Sequence, residues 1–116
     1  MPQMMLQELT VEGCPVVSVS GELTINTAPD LREILMKHLK RNERVILLDL
    51  SELEFMDTSG LATVIEAHLK AERQGGKLAL FGLQPRITEV LAVTHVTALF
   101  HIFSSEDEAV KALKEA

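Results

Sequence analysis

The chain has 116 residues, of which 47% are hydrophobic, and a formal net charge of −6 at pH 7; this is enough apolar sequence for one domain with its own core. The acidic balance argues against nucleic acid and anionic membrane surfaces as partners, because both carry negative charge. Cys14 is the one cysteine and the four histidines are scattered, so we predict neither an intramolecular disulfide nor a metal site.

The first third of the chain predicts a β-hairpin followed by a helix. Residues 4–10 and 15–20 are short and strand-like, and the intervening EGCP contains turn residues. The segment 26–41, NTAPDLREILMKHLKR, begins with two possible N-caps, Asn26 and Thr27, and has a proline in its first turn. Its apolar residues recur at helical spacing, so it is predicted to be an amphipathic helix.

The rest of the chain alternates predicted strands and helices. The segments 44–50 (RVILLDL) and 77–83 (KLALFGL) are almost wholly apolar, which is typical of interior strands covered on both faces. A further strand is predicted at 99–103, and helices at 58–76, 84–95 and 104–116, the last opened by Ser104 or Ser105. The order β-β-α-β-α-β-α-β-α over one domain, 1–116, predicts an α/β fold. Its mixed sheet has helical cover and one antiparallel edge.

The segment EFMDTSG follows the most apolar strand and holds the candidate functional residues, because open α/β sheets place their sites at the carboxyl ends of strands. Thr58 or Ser59 is expected to cap the next helix, and Gly60 removes side-chain bulk from its first turn. The same helix N-terminus favours a phosphoryl group on either hydroxyl. Asp57 would repel that group, but could orient the unmodified hydroxyl or accept its proton. Composition leaves both interpretations open, an ordinary capped helix and a phosphorylated switch.

Enzymatic function is not predicted. A hydrolase would need a base near the hydroxyl, for which His95 or His101 are candidates, but TSG lacks the G-x-S-x-G elbow. The chain has neither a Walker loop nor a dinucleotide-binding fingerprint, so no cofactor is predicted. No signal peptide is visible and no apolar stretch reaches the roughly 20 residues of a membrane span. We therefore expect a cytoplasmic protein without direct membrane insertion.

Nearly the whole chain resembles a STAS domain, and in particular the bacterial anti-sigma factor antagonists. The resemblance is carried by VVSVSGELTINTAPDLREIL, VILLDLSELEFMDTSGLATVI, GGKLALFGLQPRITEVLAVTHVTALFHIF and SSEDEAVKAL, in the family's order and spacing. The most specific part is the stretch DTSGL at 57–61, which follows LDLS. The family's fold also agrees with the predicted order of elements.

The resemblance implies a regulatory binding protein. In that family the unphosphorylated antagonist binds an anti-sigma factor that is a serine/threonine kinase. The kinase phosphorylates the hydroxyl residue after the motif's aspartate, which causes release, and a PP2C-type phosphatase restores binding. Carried over to this chain, the acceptor is Thr58, with Ser59 as the alternative. Many members have an aspartate of the kinase-facing surface where this chain has Thr24, a departure that bears on regulated phosphorylation.

The two loops would form one partner-binding face if they lie at the same end of the sheet. This requires the strands VVSVS and VILLDL to be neighbours. The predicted footprint consists of Glu22, Thr24, Asn26 and Thr27 from one loop and Met56, Asp57, Thr58, Ser59, Gly60 and Leu61 from the other. Within it, Met56 is expected to fill the core or its edge, with an exposed anchor for the partner as the alternative.

The runner-up function that the resemblance implies belongs to a different class. STAS domains also serve as subunits of ABC-type lipid-transport complexes at the inner membrane, where DTxGLA turns occur as well. Such a subunit would assemble with an ATPase and a permease, so a pull-down that recovers these two proteins would favour the alternative.

Overall fold

The computed structural model describes residues 3–114, which form a mixed six-stranded sheet and four helices. The strands are β1 (Met5–Val11), β2 (Cys14–Leu23), β3 (Val45–Asp49), β4 (Leu53–Met56), β5 (Lys77–Phe81) and β6 (His101–Phe103). The helices are α1 (Ala28–Lys40), α2 (Thr58–Arg73), α3 (Pro85–Val93) and α4 (Glu106–Lys114), and a 3₁₀ turn, Thr97–Leu99, precedes β6. The predicted end of the last helix, 115–116, lies outside the described residues.

The sheet has the strand order β1-β2-β3-β5-β6, with β4 paired to β2. The hairpin of β1 and β2 is antiparallel, and all other pairs are parallel. β2 is long enough to serve two partners, since Val16 pairs with Leu47 of β3 and Leu23 pairs with Met56 of β4. The predicted fold class is confirmed, including the antiparallel edge and the neighbouring positions of VVSVS and VILLDL.

Strand β4 was not predicted, because EFMDTSG was assigned to a loop. The strand forms at a bend in β2, where Gly21 has a φ of +89° and the register shifts before Glu22. A side chain at Gly21 would place its Cβ only 1.8 Å from the carbonyl oxygen of Gln3. Glycine therefore allows β2 to bend where it passes close to Gln3, in the segment before β1, and to pair its last residues with β4.

Apolar side chains fill a layer on each face of the sheet, which explains why the interior strands are apolar throughout. Ile46 and Leu48 of β3 lie in the larger core, which α1, α2 and α3 cover. Leu47, between them, points to the opposite layer, which α4 closes with Val110 and Leu113. Cys14 is buried in that second layer, and the buried His68 packs edge-on against Phe100.

A cluster of charged side chains ties β1 to the end of α1. The buried His38 places Nε2 2.8 Å from a carboxylate oxygen of Glu8, and its Nδ1 contacts the carboxylate of Glu43. Lys37 donates to the other oxygen of Glu8 at 3.1 Å. The hydrogen bond from Lys37, assisted by the one from His38, holds the pKa of Glu8 below its usual value. The Glu8 side chain is thus turned back onto α1.

Candidate functional site

Two loops meet at the carboxyl ends of β2 and β4. Because Leu23 and Met56 are partners in a parallel pair, the chain leaves both strands at the same level. The backbone N–H of Asp57 then donates to the carbonyl of Leu23 at 3.1 Å. The β2–α1 loop, residues 24–27, and the start of α2 therefore lie side by side, as predicted for the partner-binding face.

Asp57 joins these two loops with its carboxylate. One oxygen accepts from the backbone N–H of Gly60 at 2.9 Å, and the other accepts from the backbone N–H of Ile25 at 3.0 Å. Asp57 occupies the N-cap of α2, so the prediction that Thr58 or Ser59 caps this helix is wrong. Asp57 directly precedes the helix, so one oxygen of its carboxylate can accept from the third N–H of the helix while the other accepts from the neighbouring loop.

The two hydroxyl residues differ in exposure. Thr58 is the first residue of α2 and is exposed, whereas Ser59 is half-buried. The carboxylate of Asp57 accepts from the N–H of Gly60, and its backbone carbonyl accepts from the N–H of Leu61. The backbone N–H groups of Thr58 and Ser59 have no intrahelical partner at this helix start. They are available to an anion, in the positive half of the helix dipole.

Among residues 3–114, neither carboxylate oxygen of Asp57 is hydrogen-bonded to the hydroxyl of Thr58 or Ser59. The carboxylate holds two backbone N–H groups instead. In this structure it positions the two loops and leaves the Thr58 hydroxyl free of that contact.

Threonine hydroxyls brace the β2–α1 loop from within. The Thr27 hydroxyl accepts from the backbone N–H of Thr24 at 2.8 Å and donates to the carbonyl of Glu22 at 2.9 Å. Thr27 is the N-cap residue of α1, one of the two predicted candidates, but its hydroxyl makes no capping hydrogen bond to a helix N–H. The Thr24 hydroxyl accepts from Asn26 N–H at 3.2 Å. An aspartate at this position can form the same turn, so Thr24 keeps the turn without the charge.

Three members of the predicted footprint are buried. Met56 and Leu61 are only 4% and 5% exposed, because β4 turns Met56 into the core and α2 packs Leu61 against it. Gly60 is also buried, against Leu23. The expectation that Met56 fills the core or its edge is therefore confirmed, and the alternative, an exposed anchor, is wrong. The footprint residues that reach the surface are Glu22, Thr24, Asn26, Thr27, Asp57, Thr58 and Ser59.

Two apolar residues on this face were missed by the sequence analysis. Ile25 is 67% exposed, and its backbone is tied to Asp57. Phe55 is 42% exposed on β4, where its register partner is Glu22. The available signal was an apolar residue inside a predicted loop, between polar neighbours in the case of Ile25. Exposed apolar side chains beside polar ones are typical of protein-binding surfaces.

Within residues 3–114, no group of three or more histidine, cysteine, aspartate or glutamate side chains is placed to hold a metal ion. None of the helices in this part of the chain is both long and apolar enough to cross a membrane.

The comparisons with known proteins agree on one family. The family model for the STAS domain matches residues 6–109. The chain is 31% identical over 104 residues to the anti-sigma F factor antagonist of Paenibacillus polymyxa, covering 89% of this chain and 86% of that protein. It has a TM-score of 0.88 and 24% identity to an anti-sigma factor antagonist from Mycobacterium paratuberculosis, over 97% of this chain and 95% of that one. The chain has a TM-score of 0.71 and 20% identity to the Bacillus cell fate determinant SpoIIAA in its phosphorylated form, over 95% of this chain and 98% of that one.

Proposed function

The chain belongs to the STAS domain family, and on this premise we propose that it is a cytoplasmic anti-sigma factor antagonist. The unphosphorylated chain binds an anti-sigma factor that is itself a serine/threonine kinase. The kinase transfers the γ-phosphoryl group of ATP to Oγ1 of Thr58, releasing ADP and the hydroxyl proton. The phosphorylated chain dissociates, and a PP2C-type phosphatase restores binding.

The observation that carries this proposal is the exposure of Thr58 at the first position of α2. Thr58 directly follows Asp57, whose carboxylate links the start of α2 to the β2–α1 loop. A kinase can reach this hydroxyl without unfolding the domain. The relative in Paenibacillus polymyxa, named as an anti-sigma F factor antagonist, supports the function. SpoIIAA, which has the same fold, has been solved in phosphorylated form, so this fold can carry a phosphoryl group.

A phosphoryl group on Thr58 would change the charge of the face while leaving the fold in place. It carries about −1.5 to −2 charges at neutral pH. The free N–H groups of Thr58 and Ser59 and the helix dipole favour it, which offsets part of the repulsion from Asp57. The remaining negative charge faces the partner. Each unfavourable charge contact there, of order 1–3 kcal/mol, weakens binding by about fivefold to more than a hundredfold.

Exposure favours Thr58 over Ser59 as the acceptor. The Thr58 side chain is open to solvent, whereas Ser59 is half-buried. Phosphoryl transfer needs room for the attacking hydroxyl, the phosphate and the kinase residues that bind it. The half-buried Ser59 offers less of this room.

We expect the cognate kinase-type anti-sigma factor and ATP to add one phosphoryl group to the chain, and peptide mass spectrometry to place it on Thr58. Thr58→Ala should abolish the modification, whereas Ser59→Ala should leave it within about threefold of the unaltered rate. Modification retained by Thr58→Ala and lost with Ser59→Ala would move the acceptor to Ser59. Phosphate on neither residue would refute the proposed switch.

The apolar pair on the same face is expected to anchor the partner. Ile25→Ser and Phe55→Ser should each weaken binding to the anti-sigma factor by about tenfold, the loss expected of an anchor residue near the centre of an interface, whose truncation costs more than 1 kcal/mol. Isothermal titration calorimetry measures the loss. Val93→Ser is the matched control, since Val93 is 66% exposed on α3; an equal loss in all three variants would contradict an anchoring role.

A further inference from the structure

Strand β1 has one unpaired edge. It pairs with β2 on one side, and within residues 3–114 no other strand pairs with it. Proteins usually protect such edges with lysine, proline or a bulge. The β1 sequence, MLQELTV, contains neither lysine nor proline, and its seven residues pair with β2 in an unbroken register. The edge is therefore open to another strand.

The hairpin geometry decides which backbone groups face outward. Val11 and Cys14 flank a two-residue turn whose residues have φ of 50° and 83°. Such a turn places the Cys14 N–H on the Val11 carbonyl, so this pair is hydrogen-bonded. Hydrogen-bonded and non-hydrogen-bonded pairs alternate along an antiparallel ladder. The N–H and C=O groups of Leu6, Glu8 and Thr10 consequently point away from β2.

The side chains along this edge are apolar on one face, and on the other face the charge of Glu8 is compensated by Lys37 and His38. Met5 and Leu9 are 73% and 46% exposed, and they lie on the same face with Gln7 between them. Glu8 is the charged residue of the strand. Its carboxylate accepts hydrogen bonds from Lys37 at 3.1 Å and contacts His38 at 2.8 Å, so it is directed to α1. It therefore opposes pairing only where another carboxylate lies directly opposite.

We propose that two copies of the chain associate through antiparallel pairing of their β1 strands, with Gln7 opposite Gln7 of the second copy. This register places Met5 opposite Leu9 of the second copy, and the two-fold axis repeats the contact. The outward backbone groups of Leu6 then meet those of Glu8. A shift by two residues would set Glu8 against Glu8, which like-charge repulsion disfavours. In the Gln7–Gln7 register the strand is thus self-complementary, as a two-fold interface requires.

The pairing is tested with the full unmodified chain and without any kinase, so its failure is distinct from a failure of the proposed function. Sedimentation velocity over roughly 1 μM to 1 mM should show a monomer–dimer equilibrium. Met5→Lys or Leu9→Glu should each weaken the dimer about tenfold or more, because each puts a charge opposite an apolar side chain. Val93→Lys, an exposed apolar residue on α3, is the control and should leave it unchanged.

The double variant Met5→Lys with Leu9→Glu tests the register. In the proposed dimer it sets lysine opposite glutamate twice, so association should return to within about threefold of the unaltered chain. The amides of Leu6, Glu8 and Thr10 should become protected from hydrogen exchange as the concentration rises. A monomer at every concentration, a dimer insensitive to both single variants, or a double variant no better than the singles would each overturn the proposal.

Discussion

Gly60→Ala is expected to lower the free energy of unfolding by about 2–3 kcal/mol and the melting temperature by about 10 °C. A Cβ at Gly60 would lie 2.6 Å from Cγ of Leu23 and 2.7 Å from its carbonyl oxygen. The Leu23 side chain is fully buried and its carbonyl belongs to β2, so neither atom yields easily. The start of α2 must move away from β2, which also strains the bond between Asp57 and Ile25.

Thermal unfolding followed by circular dichroism measures this loss. Gly75→Ala at the other end of α2 is the matched control, because nothing lies within 4 Å of its Cβ position. Its positive φ of 78° alone should lower stability by about 1 kcal/mol. A Gly60→Ala variant as stable as Gly75→Ala would show that the contact of α2 with β2 is not tight.

Asp57→Ala is expected to lower the free energy of unfolding by about 2 kcal/mol and to weaken partner binding as well. The change removes both the helix cap and the bond to Ile25, and a helix cap alone contributes about 1 kcal/mol. The β2–α1 loop, residues 24–27, loses its connection to α2, so the exposed Ile25 is no longer held beside Thr58.

Asp57→Asn separates the two contributions. Asparagine caps a helix as well as aspartate does, but its NH₂ group cannot accept the N–H of Ile25. We therefore expect chemical denaturation to show most of the stability retained, and titration to show partner affinity still reduced. Asp57→Asn with unaltered affinity would mean that the hydrogen bond to Ile25 does not position the binding face.

Thr58→Ala should change stability by less than about 0.5 kcal/mol, because this side chain is exposed.

Most of the fold was predictable because the interior strands are apolar throughout, which is typical of strands that are covered on both faces of a sheet. In β3, Ile46 and Leu48 face one core layer and Leu47 faces the other, so the run must be apolar throughout. β4 carries no such pattern, since it has four residues and exposes two of them, Glu54 and Phe55. Its strand conformation depends on pairing with the end of β2, a contact between distant segments that local sequence does not encode.

The location of the candidate site was predictable, whereas its internal contacts were not. Asp57, Thr58 and Ser59 are all good N-cap residues, so composition alone cannot choose among them. The choice is made by the N–H of Ile25, 32 positions earlier in the chain. The burial of Met56 has the same origin, because its side chain enters the core only when β4 pairs with β2.

A phosphoryl group on Thr58 is expected to disrupt docking of the chain to its partner. The most direct measurement is the affinity of the kinase-type anti-sigma factor for the unmodified chain and for the chain phosphorylated on Thr58, by calorimetry under the same conditions. We expect phosphorylation to weaken binding by at least about tenfold while the melting temperature of the free chain changes by only a few degrees. Equal affinities for the two forms would contradict it.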